Sequence, residues 1–309
     1  MTFDETYDVV VVGYGFAGGA AAIEAADQGA SVLLIEKMPD PGGISICAGG
    51  GVRLAKDADD AFAYLNATNA GRTDEDVLRT FADEVTNLEG YLRDLASIND
   101  AKVVVRDRPG NYPFPGLDTW GFFEVAEIPG FDPLEEYPHV RGRLGGPLVF
   151  KVVDDNVRKR AIDVRMNCPA VRLIKGDDGG LTGLTVEQDG ERRNIKARRG
   201  VILASGGFEA DPRMQSQYWQ MAPVTSAVSQ GNTGDGIRMA QEFGADLWHM
   251  WHFHGSYGFR HTDPRFPTAL RMKRLPDWTP GGDVPDVEMA WIVVDQGGKR
   301  YMNEYPPYG

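Results

Sequence analysis

The chain has 309 residues, of which 42% are hydrophobic and 25% are charged, values typical of a globular protein with one large or two ordinary domains. Its net charge of −13 argues against a nucleic acid or an anionic membrane as the main partner. Two cysteines, Cys47 and Cys168, supply neither a disulfide framework nor a metal cluster, which predicts a reducing, cytoplasmic location. The polar start MTFDETYD and the lack of a long apolar run predict no signal peptide and no membrane span.

The chain opens with the pattern of a βαβ unit. An apolar run, YDVVVV, at residues 7–12 predicts a buried parallel strand. The Ala-rich segment 16–28 predicts a helix, and SVLLI at 31–35 predicts the second strand. These three elements together predict the first part of a dinucleotide-binding fold.

A glycine turn joins the first strand to the helix. In the sequence Gly13-Tyr-Gly15-Phe-Ala-Gly18, the first glycine permits a tight turn, the second lets a pyrophosphate approach the backbone, and the third lets helix and strand pack closely. The helix N-terminus supplies N–H donors to that anion. Glu36, at the end of the second strand, is predicted to accept hydrogen bonds from ribose hydroxyls. This spacing leaves FAD and NAD open, while the acidic residue disfavours the 2′-phosphate of NADP.

Three further features follow before residue 150. Residues 37–51 are dense in glycine, which predicts backbone lying against a flat or charged ligand. Helices are predicted at 58–69 and after the capping pattern at 73–76. Residues 106–146 are rich in Pro, Gly and aromatic residues and predict a long ordered loop that either lines a site or crosses the surface.

The second half of the chain returns to an α/β pattern. A helix is predicted at 148–160, a strand at 163–167, turns at 177–180 and 188–190, and an apolar strand at 201–204 that ends in a glycine turn. Another glycine turn precedes an amphipathic helix within 231–247. The overall prediction is an α/β fold with a parallel sheet.

Four histidines cluster after residue 248 and raise the question of a metal site. They are His249, His252, His254 and His261. No carboxylate or cysteine accompanies them at ligand spacing, and the intervening residues are largely aromatic. An aromatic-walled pocket is therefore favoured, and no metal is predicted.

With these segments in order, the chain resembles the FAD-dependent dehydrogenases and reductases of the fumarate reductase and 3-ketosteroid dehydrogenase superfamily. The segments that carry the resemblance are GYGFAGGAAA with Glu36, PGGISICAGGG, VILASGGFEAD, GNTGDGIRMAQEFGA and GGKRYMNEYPPYG. The resemblance implies a Rossmann-like FAD-binding domain at 1–250 and the start of an inserted α+β cap domain at 251–309. Family members continue past this point, so the chain is expected to be a fragment or one half of a split enzyme that a partner chain completes.

The resemblance also implies the cofactor and its contacts. Where family members with covalent FAD have a histidine, this chain has Ile44, so non-covalent FAD is expected, and Cys47 is less suited to attachment than to packing. The implied contacts all lie in or beside the glycine-rich segments. They are Gly13, Gly15, Phe16, Ala17, Gly18, Glu36, Lys37, Gly42, Gly43, Ser45, Ala48, Gly49, Gly50, Val171, Ala204, Ser205, Gly206 and Asp235.

The last segment bears on the reaction. Fumarate reductases carry a catalytic arginine four residues after the glutamate of a G-x-R-F-x-N-E motif, and this chain has Tyr308 there. Their H-P-T histidine aligns with Ser256. The 3-ketosteroid dehydrogenases have a tyrosine at the first position, so the resemblance implies Tyr308 as acid or base in α,β-dehydrogenation of a small hydrophobic cyclic ketone, with Tyr112 beside the substrate. A packed aromatic is the other interpretation of Tyr308.

Two alternatives remain at the level of function. One is a different flavin oxidoreductase, either fumarate reductase-like or an amine oxidase or dehydrogenase. The other is an FAD-binding subunit that gates a partner. The sequence does not predict the electron acceptor.

Overall fold

The computed structural model describes residues 2–140, 142–251, 253, 258–271, 292–295 and 297–301. Its contacts divide the chain into two compact units. The first comprises residues 1–50, 95–103 and 125–271, and the second includes 51–94 and 104–124. The domain boundary predicted at residue 250 stays a prediction.

A six-stranded sheet forms the centre of the first unit. Its strands are β1 (Glu5–Val12), β2 (Val32–Ile35), β6 (Ile162–Arg165), β7 (Ala170–Lys175), β8 (Leu181–Gln188) and β9 (Glu191–Leu203). Their spatial order is β6-β2-β1-β9-β8-β7. Strands β6, β2, β1 and β9 run parallel to one another. Strand β8 pairs antiparallel with β9, and β7 pairs antiparallel with β8. Val10, Val11 and Val12 at the end of β1 are buried, as the unbroken hydrophobic pattern predicts.

The register of this sheet brings three strand ends together. Val12 of β1 pairs with Ile35 of β2 on one side and with Leu203 of β9 on the other. Each strand is followed by one of the predicted site segments, which begin at Gly13, Glu36 and Ala204. Because parallel strands end at the same edge, the register collects these segments at the carboxyl edge of the sheet.

Five α-helices lie in the described part of the first unit. They are α1 (Phe16–Asp27), α4 (Pro133–Glu136), α5 (Gly146–Lys159), α6 (Pro212–Tyr218) and α7 (Asp235–Gln241). Helix α5 is buried along most of its length and lies against α1. A β-carbon on Gly19 of α1 would be 2.3 Å from Cγ1 of Val153, so the two helices approach more closely than any larger residue would allow. A short antiparallel pair of β10 (Gly258–Arg260) and β11 (Ala269–Arg271) completes the described part of the first unit.

The described part of the second unit contains two α-helices and most of a three-stranded sheet. Its elements are β3 (Val52–Ala55), α2 (Ala58–Asn69), α3 (Glu75–Ala96), β4 (Lys102–Asp107) and β5 (Trp120–Glu127), with β5 central in the sheet. The predicted bounds of α2 are confirmed, and Asp57 caps the helix by accepting a 2.9 Å hydrogen bond from the Asp60 N–H. Tyr64 and Trp120 meet edge to face in its core, with ring centroids 5.7 Å apart.

The prediction of one long irregular loop at 106–146 was wrong in part. Strand β5 and helix α4 lie within it. The Pro and Gly residues on both sides of β5 suggested continuous loop, but Trp120 and Phe123 are buried, and residues 120–123 pair with β3 in antiparallel register. Tertiary contact outweighs the turn signals here. Within the described residues, no helix is long and apolar enough to cross a membrane.

Candidate functional site

A cavity lies in the first unit at the carboxyl edge of the sheet. The residues that line it come from both glycine-rich segments, the end of β2, the start of β7, the turn after β9 and the segment leading into α7. They are Val12, Gly13, Tyr14, Gly15, Ile35, Glu36, Lys37, Met38, Gly42, Gly43, Ile44, Ser45, Cys168, Ala170, Ala204, Ser205, Gly206, Ser229, Gly231, Asn232, Asp235 and Met239.

The first glycine turn has the geometry that its spacing predicts. Gly13 has a positive φ of +103°, and a β-carbon there would lie 2.5 Å from the carbonyl oxygen of Ala204. A β-carbon on Gly18 would lie only 1.8 Å from the carbonyl oxygen of Gly13. Both positions therefore require glycine, the first for its conformation and the second for the close packing of α1 on β1.

The N-terminus of α1 faces the second glycine loop. Gly15 is the N-cap of this helix and has no side chain to occupy the first N–H groups. Instead, the Phe16 N–H donates a 3.1 Å hydrogen bond to Oγ of Ser45. A β-carbon on Gly15 would lie 3.0 Å from the same Oγ. Gly15, at the N-terminus of α1, and Ser45 both line the cavity, and the positive end of a helix dipole beside a hydroxyl is an arrangement suited to an anion.

Glu36 is held rigidly beside this turn. Only 9% of the residue is exposed, and its two carboxylate oxygens accept hydrogen bonds from backbone N–H groups on either side. Oε2 accepts from Tyr14 at 2.8 Å, and Oε1 accepts from Met38 at 2.9 Å. Each oxygen retains a second acceptor site, so the carboxylate can still receive hydroxyl donors from a ligand in the cavity.

A polar network connects the end of β2 with the start of α7. Nζ of Lys37 lies 2.6 Å from Oδ2 of Asp235 and 2.6 Å from Oγ1 of Thr233. Arg238 reaches the other carboxylate oxygen of Asp235 at 2.7 Å. Partial burial alone would raise the pKa of Asp235, but the hydrogen bond and charge of Lys37, with Thr233, hold this pKa below its ordinary value. Asp235 is therefore ionised at neutral pH.

The beginning of the second glycine loop folds back on the first turn. Gly42 has φ of +101°, and its N–H donates a 2.7 Å hydrogen bond to the carbonyl oxygen of Tyr14. Gly43 has φ of +49° with open space where a side chain would point. Ile44 lines the cavity where the resemblance would place a covalent histidine, and its alkyl side chain cannot form a bond to flavin.

The end of this loop packs against the start of α5, and its predicted contacts with the cofactor stay predictions. Ala48, Gly49 and Gly50 do not line the cavity. A β-carbon on Gly50 would lie 2.2 Å from the carbonyl carbon of Gly145, and the Gly146 N–H donates a 2.9 Å hydrogen bond to the carbonyl oxygen of Ala48. Here glycine permits backbone-to-backbone packing against the start of α5.

The remaining predicted contacts divide between lining and supporting positions. Ala204, Ser205 and Gly206 line the cavity, while Val171 falls at an irregularity in the pairing of β7 with β8 and its neighbour Ala170 lines the cavity instead. Phe16, Ala17 and Gly18 also do not line it. Several residues that line the cavity were not predicted from the sequence. One of them, Asn232, lies within the glycine-rich segment GNTGDG. The others missed are Val12, Tyr14, Ile35, Met38, Cys168, Ala170, Ser229, Gly231 and Met239.

Only some of the residues predicted to lie beside the substrate are among the described residues. Tyr308, Ser256, His252 and His254 lie outside the described residues. Tyr112, in the second unit, is 59% exposed, so its assignment to the substrate stays a prediction. The two described histidines of the predicted cluster, His249 and His261, each lie beside an aromatic ring. In the part of the chain that the structure describes, no three His, Cys, Asp or Glu side chains are grouped to hold a metal ion.

The cavity fits the adenosine and diphosphate portion of FAD. Its glycine turns leave room for phosphate beside the N–H groups of α1, and Glu36 offers a carboxylate at the wall nearest the end of β2. An acidic residue at this position repels the 2′-phosphate of NADP. The arrangement is chemically suited to a dinucleotide.

Comparison with known proteins identifies relatives of this chain. A 3-oxosteroid 1-dehydrogenase from Mycolicibacterium smegmatis is 28% identical over 387 residues, covering 100% of this chain and 63% of the relative. A fumarate reductase (cytochrome) from Shewanella frigidimarina is 31% identical over 309 residues, covering 97% of this chain and 48% of the relative. The chain thus spans about half to two thirds of the length of these relatives.

Solved structures show the same fold. A 3-ketosteroid delta1-dehydrogenase from Sterolibacterium denitrificans, in complex with 1,4-androstadiene-3,17-dione, superposes with a TM-score of 0.68 at 24% identity, covering 80% of this chain and 56% of that one. The FAD binding domain family matches residues 8–309. The protein is therefore a member of the FAD binding domain family, related to 3-ketosteroid dehydrogenases and fumarate reductases.

Proposed function

We propose that this chain is the cofactor-binding part of a flavin-dependent oxidoreductase that acts on a carbon–carbon bond next to the carbonyl of a cyclic ketone. The observation that carries the proposal is the cavity in which Glu36, the N-terminus of α1 and two glycine turns converge. The match of residues 8–309 to the FAD binding domain family supports FAD as the ligand. A 3-ketosteroid-like substrate is proposed because N-E-x-x-P-Y, which ends at Tyr308, resembles the dehydrogenase motif.

Each lining group has a defined part in holding the cofactor. The carboxylate of Glu36 accepts the ribose hydroxyls, and the N–H groups at the start of α1 receive the diphosphate. Asp235, kept ionised by Lys37, presents a fixed carboxylate at the cavity wall. The side chain of Ile44 leaves the cofactor non-covalent. Bound FAD supplies the acceptor for a hydride from the substrate.

Tyr308 is proposed as the acid or base that moves the proton next to the carbonyl. A phenol with its usual pKa of about 10 is a weak base at neutral pH, so its environment in the active protein must lower the barrier. The arginine that clamps a dicarboxylate in the fumarate reductases is replaced by this tyrosine. Loss of that charge favours a neutral, hydrophobic ketone over fumarate.

The test is anaerobic reduction of the bound flavin by a panel of substrates, followed by its absorbance near 450 nm. We expect a 3-ketosteroid or a simpler cyclic ketone to bleach the flavin in a single turnover. Reduction by an amine alone would assign the protein to amine oxidation. Reoxidation of dithionite-reduced flavin by fumarate, without reaction of any ketone, would favour the fumarate reductase alternative. Failure of every donor and of fumarate would support a subunit that gates a partner.

A further inference from the structure

A buried carboxylate lies behind the first glycine turn. Asp154 of α5 is 1% exposed, and three side chains surround its carboxylate. The hydroxyl of Tyr14 donates to Oδ1 at 2.6 Å, and the hydroxyl of Tyr137 donates to Oδ2 at 2.9 Å. The guanidinium of Arg158 lies 2.7 Å from the same Oδ2. The charge is thus paired and hydrogen-bonded, as burial requires.

Tyr14 connects this carboxylate to the cavity through its backbone. Its N–H donates to Oε2 of Glu36 at 2.8 Å, and its carbonyl accepts from the Gly42 N–H at 2.7 Å. The residue therefore contacts the predicted ribose acceptor on one side and the second glycine loop on the other. Its ring packs against Phe150 of α5, with centroids 5.6 Å apart. Side chain and backbone together join four segments of the first unit.

Tyr137 provides a natural comparison. It is as buried as Tyr14, at 2% exposure, and donates to the same carboxylate. Its ring also packs against Phe150, at 5.8 Å between centroids. However, its own N–H bonds to the carbonyl of Pro133, and its carbonyl accepts from Val140, so its backbone has no hydrogen bond to either glycine segment. The two tyrosines stabilise α5 in similar ways but differ in their connection to the cavity.

We propose that Asp154 is a positioning residue for the cofactor, acting through Tyr14. By fixing the Tyr14 ring, it sets where the Tyr14 peptide groups lie, and these groups hold the Glu36 carboxylate and the start of the second glycine loop in register. The inference rests on the proposed FAD site. Burial, with the nearby Asp154 charge, raises the pKa of Tyr14 above its ordinary value, so the phenol stays protonated and remains a donor throughout the working pH range.

The experiment compares Tyr14→Phe with Tyr137→Phe in the full chain. Each change removes one phenol hydroxyl and leaves Asp154 with two other partners. We expect similar losses in the thermal stability of the apoprotein. For FAD, titrated by quenching of flavin fluorescence, we expect the dissociation constant to rise about tenfold in Tyr14→Phe and to stay within about twofold of wild type in Tyr137→Phe. Equal dissociation constants in the two variants would overturn the proposal.

Two additions make the result decisive. In a double-mutant cycle with Glu36→Gln, the effect of Tyr14→Phe on FAD affinity should shrink, because the group that Tyr14 positions has been changed. Additive effects would contradict the pathway through Glu36. If Tyr14→Phe does not fold, Asp154→Asn is measured instead with ADP as ligand, and an affinity equal to that of wild type would refute the proposal. Failure of the wild-type chain to bind FAD would count against the proposed cofactor site rather than against this inference.

Discussion

Gly18 lies so close to Gly13 that a β-carbon on Gly18 would be 1.8 Å from the Gly13 carbonyl oxygen. That atom belongs to backbone held by β1, so it cannot move aside as a flexible side chain would. The contact makes the third glycine of the turn a packing requirement, separate from any contact with the cofactor.

We therefore predict that Gly18→Ala lowers the free energy of unfolding of the apoprotein by about 1–3 kcal/mol, the usual cost of overpacking. Urea unfolding followed by circular dichroism measures the change. Gly49→Ala is the matched control, because Gly49 has no neighbour within 4 Å of its missing β-carbon. Equal stability of the two variants would show that α1 shifts to accommodate the methyl group.

Glu36→Ala should weaken FAD binding at least tenfold. The change removes a charged acceptor, worth about 1.5–3 kcal/mol, and leaves the N–H groups of Tyr14 and Met38 without their carboxylate. Glu36→Asp should weaken binding less, since it keeps the charge on a shorter side chain. Fluorescence titration of the apoprotein gives both values, and unchanged affinity in Glu36→Ala would contradict the dinucleotide site.

Gly15→Val should abolish FAD binding while the chain still folds. The added carbons would point at Oγ of Ser45, 3.0 Å from the new β-carbon, and fill the space beside the first N–H groups of α1. Because the nearest atom belongs to a side chain, the fold can adjust. The purified variant should be colourless with a native circular dichroism spectrum, and a yellow variant would refute the prediction.

Asp235→Asn should reduce stability in a pH-dependent way. The pKa of Asp235 lies below its ordinary value of 3.8 in the folded chain, so the folded state binds fewer protons than the unfolded state in the window below 3.8. The stabilisation by Lys37 is therefore complete above this window and is lost as the pH falls through the folded pKa. The wild type should exceed the variant in unfolding free energy at pH 7, and the gap should narrow below about pH 4. A difference in unfolding free energy that stays the same at every pH would contradict this prediction.

Tyr308→Phe should keep FAD and substrate binding but slow flavin reduction by about 10²–10⁴-fold, the usual size of a general acid or base contribution. The ring remains, so only proton transfer is lost. Stopped-flow reduction by a ketone that reduces the wild type is the measurement. A near-normal rate would identify the tyrosine as a wall of the pocket and place the base elsewhere.

The sequence predicted the local parts of the site well because glycine spacing reports contacts within one βαβ unit. Gly13, Gly15 and Glu36 line the cavity as expected, and Gly18 packs against the turn. Their constraints are steric and arise between residues a few positions apart, so a short motif contains them.

Contacts between residues far apart in the chain were not predicted, because no short motif contains both partners. The hydrogen bond from Tyr14 to Asp154 joins residues in different helical and loop segments, and no local pattern marks it. The irregular pairing that turns Ala170 instead of Val171 toward the cavity depends on the partner strand β8. Gly50 was assigned to the cofactor from glycine density, a signal that does not distinguish a ligand from backbone such as that of Gly145, which lies 2.2 Å from the missing β-carbon, and the assignment stays a prediction.

The pairing of Val12 with Leu203 has a consequence for biosynthesis. The first glycine turn is translated early, but its floor, which includes the Ala204 carbonyl, is made only after β9 has left the ribosome. A nascent chain that ends before β9 has an incomplete sheet with an unpaired edge on β1. The cavity therefore cannot be complete until β9 has been synthesised, and until then the edge of β1 is open to pairing with another chain.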